Sequence, residues 1–187
     1  MPRTKLTVGG DDEATEYGTV MLKKMFTGTA FILGDHVNTD ILHPPDYFSL
    51  HKERIASGLS RGAEDFILKM KKDDIIVAGR NFGCGSSRES SARSFAYNGI
   101  EVIVAESFAR IFYRNLTNQG IYLITCRGIQ KAIEPGELIR IDLAKNEISS
   151  HSRGWRLPCD PLPQYIQNVL EHGGLIKFLE HQMNKNP

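Results

Sequence analysis

The amino-acid sequence predicts an α/β fold built around a parallel sheet. Three short apolar runs rich in β-branched residues occupy positions 74–78, 101–105 and 121–125, and such runs are typical of strands that are buried on both faces. The stretches between them, 87–98 and 108–118, have helical patterns. A strand–helix–strand–helix–strand order indicates a parallel sheet with covering helices.

Further elements are predicted on both sides of this core. A strand is expected at 29–33, and the alternating run 138–143 is expected to pair with 147–149 as a hairpin. Residues 38–40 are predicted to be a loop with Asx-type backbone bonding, followed by an extended, proline-stiffened segment over 41–50. Short helices are predicted over residues 51–57, 62–71, 129–133, 162–171 and 175–183, and Trp155 is expected to pack in the core.

The second helix of the core, 108–118, carries two features of its own. Ser107 is expected to cap it. Arg110 and Arg114 are four residues apart and share a face, where they are either solvated or bind an anionic partner.

Composition and charge exclude several classes of protein. Lys and Arg number 23 against 22 Asp and Glu in 187 residues, a net charge of +1, so no nucleic-acid footprint is indicated. No apolar run approaches the roughly 18 residues of a membrane span. The N-terminus lacks the apolar region of a signal peptide, and the acidic run 11–13 argues against a transit peptide. We therefore expect a cytoplasmic protein that binds neither nucleic acid nor membrane.

The cysteines and histidines do not predict a metal site in this chain. Cys84, Cys126 and Cys159 are too far apart for a Cys-x-x-Cys site, and their odd number does not make a disulfide framework. The six histidines lack zinc-type spacing. We expect free thiols and no bound metal.

The stretch 79–89 joins the strand 74–78 to a helix through a glycine-rich loop. Gly83 and Gly85 allow positive φ and a close approach to a ligand, and the N-terminus of the next helix favours an anion. A purely structural interpretation also stands. Ser86 to Glu89 has the Ser-x-x-Glu spacing of a capping box, with Ser86 as N-cap and Glu89 at the third helical position.

Arg88 favours a carboxylate ligand at this loop. Its planar guanidinium matches a carboxylate bidentately, and serine hydroxyls lie beside it in sequence. A helix terminus contributes up to about 2 kcal/mol, or roughly one and a half pKa units, which cannot ionise a serine at neutral pH. A second electrophilic group would have to acidify the substrate, and the chain offers no candidate for it.

Three motifs together carry a resemblance to a known family. They are GDHVNTD at 34–40, NFGCGSSRE at 81–89 and SFARIFYRN at 107–115. In this order they resemble the aconitase superfamily, and within it the small subunits of 3-isopropylmalate dehydratases, over residues 26–183. The resemblance implies a swivelling β/β/α domain like the C-terminal domain of aconitase, here at 25–187, preceded by a flexible extension at 1–24.

The resemblance also implies a reaction and its residues. Ser86 would be the catalytic base, with Ser87 and Arg88 holding substrate carboxylates and the loop with Thr39 and Asp40 facing the site. The substrate would be a small hydroxy-diacid, isomerised by dehydration and rehydration. A 4Fe-4S cluster would be held by a large partner subunit, with none bound by this chain. The family usually has His-Ala after Arg-Glu, and this chain has Ser-Ser at 90–91 instead.

The loop Tyr47-Phe48-Ser49-Leu50 bears on the substrate. Homoaconitases resemble one another in an arginine at the third position, where this chain has Ser49. A third carboxylate would need a fixed cation, whereas Phe48 and Leu50 favour an alkyl group. We therefore expect 2-isopropylmalate to be converted to 3-isopropylmalate, as in leucine biosynthesis, although His51, Lys52 and Arg54 lie close enough to replace the arginine.

Other functions remain open from the sequence. Homoaconitase and another alkylmalate dehydratase, acting on methylmalate or dimethylmalate, are alternatives within the family. A phosphate-binding module is a remote alternative, because the loop has Gly-Ser-Ser-Arg in place of the Gly-Lys-Ser/Thr of a Walker loop. A non-catalytic interaction subunit is the third, and an activity assay with the partner would separate it from the enzyme.

Overall fold

The computed structural model of the chain describes residues 23–61, 66–71, 73–85 and 88–185. Within these ranges, seven strands form one mixed sheet in the order β4-β3-β2-β1-β5-β6-β7. The strands are β1 (Met25–Ile32), β2 (Ile75–Ala78), β3 (Val102–Ala105), β4 (Tyr122–Thr125), β5 (Leu138–Asp142), β6 (Glu147–Ser150) and β7 (Arg156–Pro158). The helices are α1 (Thr39–Leu42), α2 (Lys52–Ser57), α3 (Phe66–Lys69), α4 (Glu89–Tyr97), α5 (Arg110–Asn118), α6 (Ile129–Ala132), α7 (Gln164–Glu171) and α8 (Leu175–Lys185).

The predicted parallel core is confirmed. Strands β1, β2, β3 and β4 pair in parallel, and every residue of β2 and β3 is buried. Helices α4 and α5 connect β2 to β3 and β3 to β4. Strand ends that point the same way meet at one edge of the sheet, so the segments after β1, β2 and β3 are brought together there.

The second half of the sheet is antiparallel, and β1 joins the two halves. Its first part, 25–29, pairs antiparallel with β5, while residues 30–32 pair in parallel with β2. The predicted hairpin is confirmed as β5 and β6. Strand β7 extends it and was not predicted, because three residues ending in proline show no alternation.

Apolar clusters on the two faces of the sheet hold the layers together. One contains Phe82 of the glycine loop, Phe95 of α4 and Phe112 of α5, with ring centroids 5.7–6.4 Å apart. All three side chains are fully buried, and each removes about 150–250 Å² from water. Trp155 packs on the cluster of the opposite face as predicted, although it is only partly buried.

Both predicted serine caps are wrong. Helix α4 begins at Glu89 with Arg88 as N-cap, so Glu89 stands at the first helical position, and its carboxylate binds Arg93, 2.9 Å away. The cap of α5 is Ala109. Ser107 instead accepts a hydrogen bond from the backbone N–H of Asn81, at 2.8 Å.

Two predicted loops are helical. Residues 39–42 form α1, and the Asn38 side chain caps it by accepting from the N–H of Asp40 at 2.8 Å. The expected Asx-type bond is thus present, but it starts a helix. Residues Pro45–Tyr47 form a short 3-10 helix within the segment that was predicted to be extended.

Some predicted elements lie partly or wholly outside the described residues. The helix expected at 62–71 is described only over Phe66–Lys69. Of the extension at 1–24, only Lys23 and Lys24 are described. In the described ranges, no helix has the length and apolar character needed to cross a membrane.

Candidate active site

The three sequence motifs meet at the edge of the sheet where β1, β2 and β3 end. The loop after β1 pairs with the glycine loop through a parallel bridge between Asn38 and Cys84. A second bridge, between Phe82 and Phe108, ties the glycine loop to the loop after β3. The fold therefore converts three separate motifs into one continuous surface, which we call the loop edge.

Close backbone packing fixes the glycine loop against the loop after β1. Gly83 donates to the carbonyl of Val37 at 2.9 Å, and Thr39 donates to the carbonyl of Cys84 at 2.8 Å. Gly85 has φ +101°, and a Cβ there would lie 2.4 Å from the Asn38 side-chain oxygen. Only glycine fits this position, because a methyl group would displace the cap of α1.

An ion pair and backbone hydrogen bonds connect the loop after β1 to the glycine loop a second time. The Arg80 guanidinium donates to Asp35 at 2.7 and 3.0 Å, and the Arg80 N–H donates to the other carboxylate oxygen at 2.7 Å. The backbone N–H of His36 donates a hydrogen bond to the carbonyl of Arg80 at 2.7 Å. Bonds from Arg80 hold the pKa of Asp35 below its usual range. The pair is largely exposed, so its main effect is geometric.

Arg88 is the cation of the loop edge. Its guanidinium lies 3.6 Å from the Asp40 carboxylate and 4.3 Å from the centre of the Phe48 ring. Both charged side chains are about half exposed, so a ligand can reach the guanidinium. An aromatic face can orient a guanidinium without occupying the guanidinium's hydrogen-bond donors. The Phe48 ring therefore orients the Arg88 side chain.

His43 holds the segment that carries Phe48. Its ring is fully buried, and Nε2 lies 3.0 Å from the carbonyl of Ile55, so Nε2 carries the proton and Nδ1 does not. Nδ1 is buried without a partner among the described residues. The ring stacks on Phe48 at 5.4 Å. Burial lowers the pKa of His43, and the neutral ring is the form that fits.

The other predicted site residues are distributed around this centre. Thr39 is fully buried beneath the loop edge, and its backbone N–H donates to the carbonyl of Cys84. Ser49 accepts from the N–H of His51 at 3.0 Å, and Leu50 is 97% exposed. Their roles toward a substrate stay predictions.

Ser86 and Ser87 lie outside the described residues. The residues that flank them are described. Gly85 packs on Asn38, and Arg88 lies beside Asp40, so the chain enters and leaves this pair of serines at the loop edge.

The thiols do not fit an iron–sulfur cluster. Burial raises the pKa of Cys126 to about 12 and that of Cys159 to about 11, whereas cluster ligands are thiolates. Cys84 is separate from them and donates to the carbonyl of His36 at 3.2 Å. In the part of the chain that the structure describes, no group of three metal-binding side chains converges.

Comparisons with known proteins agree with this geometry. Residues 58–127 match the family model of the aconitase C-terminal domain. The chain is 40% identical over 164 residues to the isopropylmalate/citramalate isomerase small subunit of Methanocaldococcus jannaschii, covering 87% of this chain and 98% of that one. It is 37% identical over 164 residues to the 3-isopropylmalate dehydratase small subunit of Caldicellulosiruptor saccharolyticus, covering 87% and 95%. The chain belongs to the family of 3-isopropylmalate dehydratase small subunits.

A solved structure supports the same assignment. The crystal structure of 3-isopropylmalate dehydratase from Methanocaldococcus jannaschii superimposes with a TM-score of 0.79 at 37% identity, covering 86% of this chain and 96% of that one. The predicted fold class, a swivelling α/β domain of the aconitase C-terminal type, is confirmed, and so is the family predicted from the three motifs.

Several contacts at the loop edge were not predicted from the sequence. Phe48 was expected to favour an alkyl group of the substrate, and its ring also lies on Arg88. His43 was assigned no role, and Ser107 was given to the wrong partner. An aromatic ring and an arginine can stack, but Phe48 lies outside the three motifs and no spacing relates it to Arg88. His43 likewise offered no signal, because its contact with Ile55 depends on how the segment folds back.

We expect His43 to make folding stability depend on pH below about 6.5. The unfolded chain takes up a proton near pH 6.5, whereas the folded chain, whose His43 pKa is lowered by burial, takes it up only at lower pH. The contribution of His43 to the free energy of unfolding is therefore fully present above pH 6.5. It falls as the pH drops toward the folded pKa, by at most about 1.4 kcal/mol per pH unit.

The variant His43→Gln tests this dependence. Glutamine keeps a donor for the Ile55 carbonyl but does not titrate. Urea unfolding at pH 7.5, 6.5 and 5.5 should show the free energy of unfolding of the wild type falling toward that of the variant as the pH is lowered. A difference between the two proteins that stays constant across this range would contradict the account.

Proposed function

We propose that this chain is the small subunit of a hydro-lyase that converts 2-isopropylmalate to 3-isopropylmalate, and that it acts only with a large subunit. The observation that carries the proposal is Arg88, whose half-exposed guanidinium lies beside Asp40 and on the Phe48 ring at the edge where all three family motifs meet. A cation oriented in this way binds one carboxylate of a diacid bidentately.

The proposed reaction divides its chemistry between the two subunits. Isomerisation removes a proton from one carbon and hydroxide from its neighbour, and then returns water in the opposite sense. We assign the proton transfer to Ser86, with Ser87 and Arg88 binding carboxylates. A 4Fe-4S cluster on the large subunit would supply the Lewis acid that helps the hydroxyl to leave. Burial raises the pKa of the Cys126 and Cys159 thiols, so these two do not fit as ligands of that group.

The residues around Ser49 support an alkyl-substituted substrate. Leu50 is exposed and Phe48 presents a ring, so both can cover an apolar group. Two of the three nearby cations are engaged elsewhere. The Arg54 guanidinium donates to the carbonyl of Asp46 at 2.7 Å, and the Lys52 ammonium lies 5.2 Å from the centre of the Tyr97 ring. Neither is positioned to replace the arginine that a third carboxylate would require.

A second substrate is favoured by a specific comparison. The relative from Methanocaldococcus jannaschii is named an isopropylmalate/citramalate isomerase, and citramalate carries a methyl group where 2-isopropylmalate carries an isopropyl group. The same Arg88 contact would serve both substrates. A site lined by Phe48 and Leu50 gains about 0.8 kcal/mol for each CH₂ that it buries, which favours the larger group.

We also propose the extent of the functional domain and its location. The domain is residues 25–187, since β1 begins at Met25, and 1–24 is an extension outside it. The free thiols of Cys84, Cys126 and Cys159 suit a reducing compartment, which supports the cytoplasm.

The variant Ser86→Ala tests the base assignment directly. In the complex reconstituted with the large subunit, turnover should fall by about 10² to 10⁴-fold, the usual contribution of a general base. Ser90→Ala, in the first turn of α4, is the matched control and should keep near-wild-type turnover. A Ser86→Ala complex that turns over like the wild type would refute the assignment, provided that both variants assemble equally well.

The variant Ser49→Arg tests the substrate. It should shift the ratio of catalytic efficiencies toward homoaconitate by at least about tenfold, because a hydrogen bond to a charged group contributes about 1.5–3 kcal/mol. The measurement compares kcat/KM for 2-isopropylmalate, citramalate and homoaconitate in wild type and variant. A wild type that prefers homoaconitate, or a variant with an unchanged ranking, would contradict the role of this loop.

A further inference from the structure

A groove of about 790 Å³ runs between α5 and the segment that contains α7 and the start of α8. Ser107, which accepts from the N–H of Asn81 in the glycine loop, lines one end of it. The groove therefore begins at the loop edge and continues away from it. It is lined by Ser107, Phe108, Arg110, Tyr113, Arg114, Thr117, Asn118, Thr125, Tyr165, Ile166, Val169 and Leu175.

Two arginines of α5 line one side of the groove. Arg110 and Arg114 are exposed and lie one helical turn apart on α5, with their side chains on the same face. Arg80 and Arg93, by contrast, form ion pairs with Asp35 and Glu89. Neither arginine of the groove forms an ion pair with a described residue. This side of the groove is complementary to an acidic group.

A buried hydroxyl on the groove also lacks a partner. Thr117 is 1% exposed, and its Oγ1 has no hydrogen-bond partner among the described residues. A buried polar group without a partner costs about 1–3 kcal/mol, so native structures rarely leave one unexplained. A ligand that enters the groove would supply the missing hydrogen bond.

The opposite wall is apolar and partly open to solvent. Ile166, Val169 and Leu175 line it, and Tyr165 is 58% exposed at its rim. Tyrosine and arginine around an apolar centre are the residues enriched at protein–protein interfaces and their hot spots.

Continuity with the loop edge identifies the occupant. A large subunit that closes over Arg88 and Asp40 reaches the mouth of the groove at Ser107, because Ser107 belongs to both. We propose that the groove between α5 and α7 is a docking site for an acidic, apolar segment of the large subunit, with carboxylates on Arg110 and Arg114 and apolar side chains on the opposite wall. The inference rests on the proposed function for the existence of that partner.

The test measures binding, so that it is separate from catalysis. The dissociation constant of the isolated chain for its large subunit is measured by titration calorimetry at two salt concentrations. For the double variant Arg110→Glu/Arg114→Glu we expect it to rise by at least about tenfold, with a weaker salt dependence. The control Arg140→Glu/Lys145→Glu makes the same change of charge on the β5–β6 hairpin, none of whose residues lines the groove, and should stay within about twofold of wild type.

Thr117→Val separates a docking role from a structural one. Valine has nearly the same shape and no hydroxyl, so the isolated chain should unfold at the same or a higher temperature, while binding to the large subunit weakens. A lower unfolding temperature together with unchanged binding would overturn the role of Thr117 in docking.

The remaining outcomes are decisive as well. A double variant that binds within about twofold of wild type would overturn the inference. The inference would also be overturned if 2-isopropylmalate bound to the isolated chain, if this binding were lost in the double variant, and if the large subunit still bound the double variant normally. The groove would then be a small-ligand site. If wild-type subunits associate but catalyse no isomerisation, the proposed function fails, and the dissociation constants still decide the docking site. If they do not associate, both proposals fail.

Discussion

The backbone contact between the glycine loop and the loop after β1 is the constraint on which the site depends. The N–H of Gly83 donates to the carbonyl of Val37, and the N–H of Thr39 donates to the carbonyl of Cys84. Both glycines of the glycine loop, Gly83 and Gly85, have positive φ. The space beside each glycine is already occupied, by the Phe112 ring at Gly83 and by the Asn38 side chain at Gly85. The apolar core and the cap of α1 thus determine how the two loops meet.

This contact explains why a half-exposed pair of charges has a defined geometry. Asp40 is positioned by the cap of α1, and Arg88 by the glycine loop and the Phe48 ring. Exposed ion pairs contribute little to stability, so the separation of 3.6 Å between Arg88 and Asp40 reflects the loops that carry them. The same edge continues into the groove along α5, so one surface combines the proposed substrate contacts with the proposed docking site.

The fold could be predicted from the sequence to a large extent because buried parallel strands leave a strong local signal. Runs such as 102–105 are apolar at every position, and the loop motifs at their ends reveal the family. The serine caps could not be predicted, because Ser107 is a good cap by type but its hydroxyl is taken by Asn81, which is remote in sequence. Four-residue α1 is too short for helical periodicity. The stack of His43, Phe48 and Arg88 depends on tertiary contacts that no spacing encodes.

The activity of Gly85→Ala in the reconstituted enzyme tests the central claim most directly. The added methyl group would meet the Asn38 side chain at 2.4 Å and displace the cap that positions Asp40. Because misplacement by about 1 Å can cost about 10²-fold in rate, kcat/KM should fall by about that factor. Gly136→Ala is the control, with φ +78° and nothing within 4 Å of the new methyl group, and it should lose stability while keeping its activity. Wild-type kcat/KM in Gly85→Ala would contradict the account.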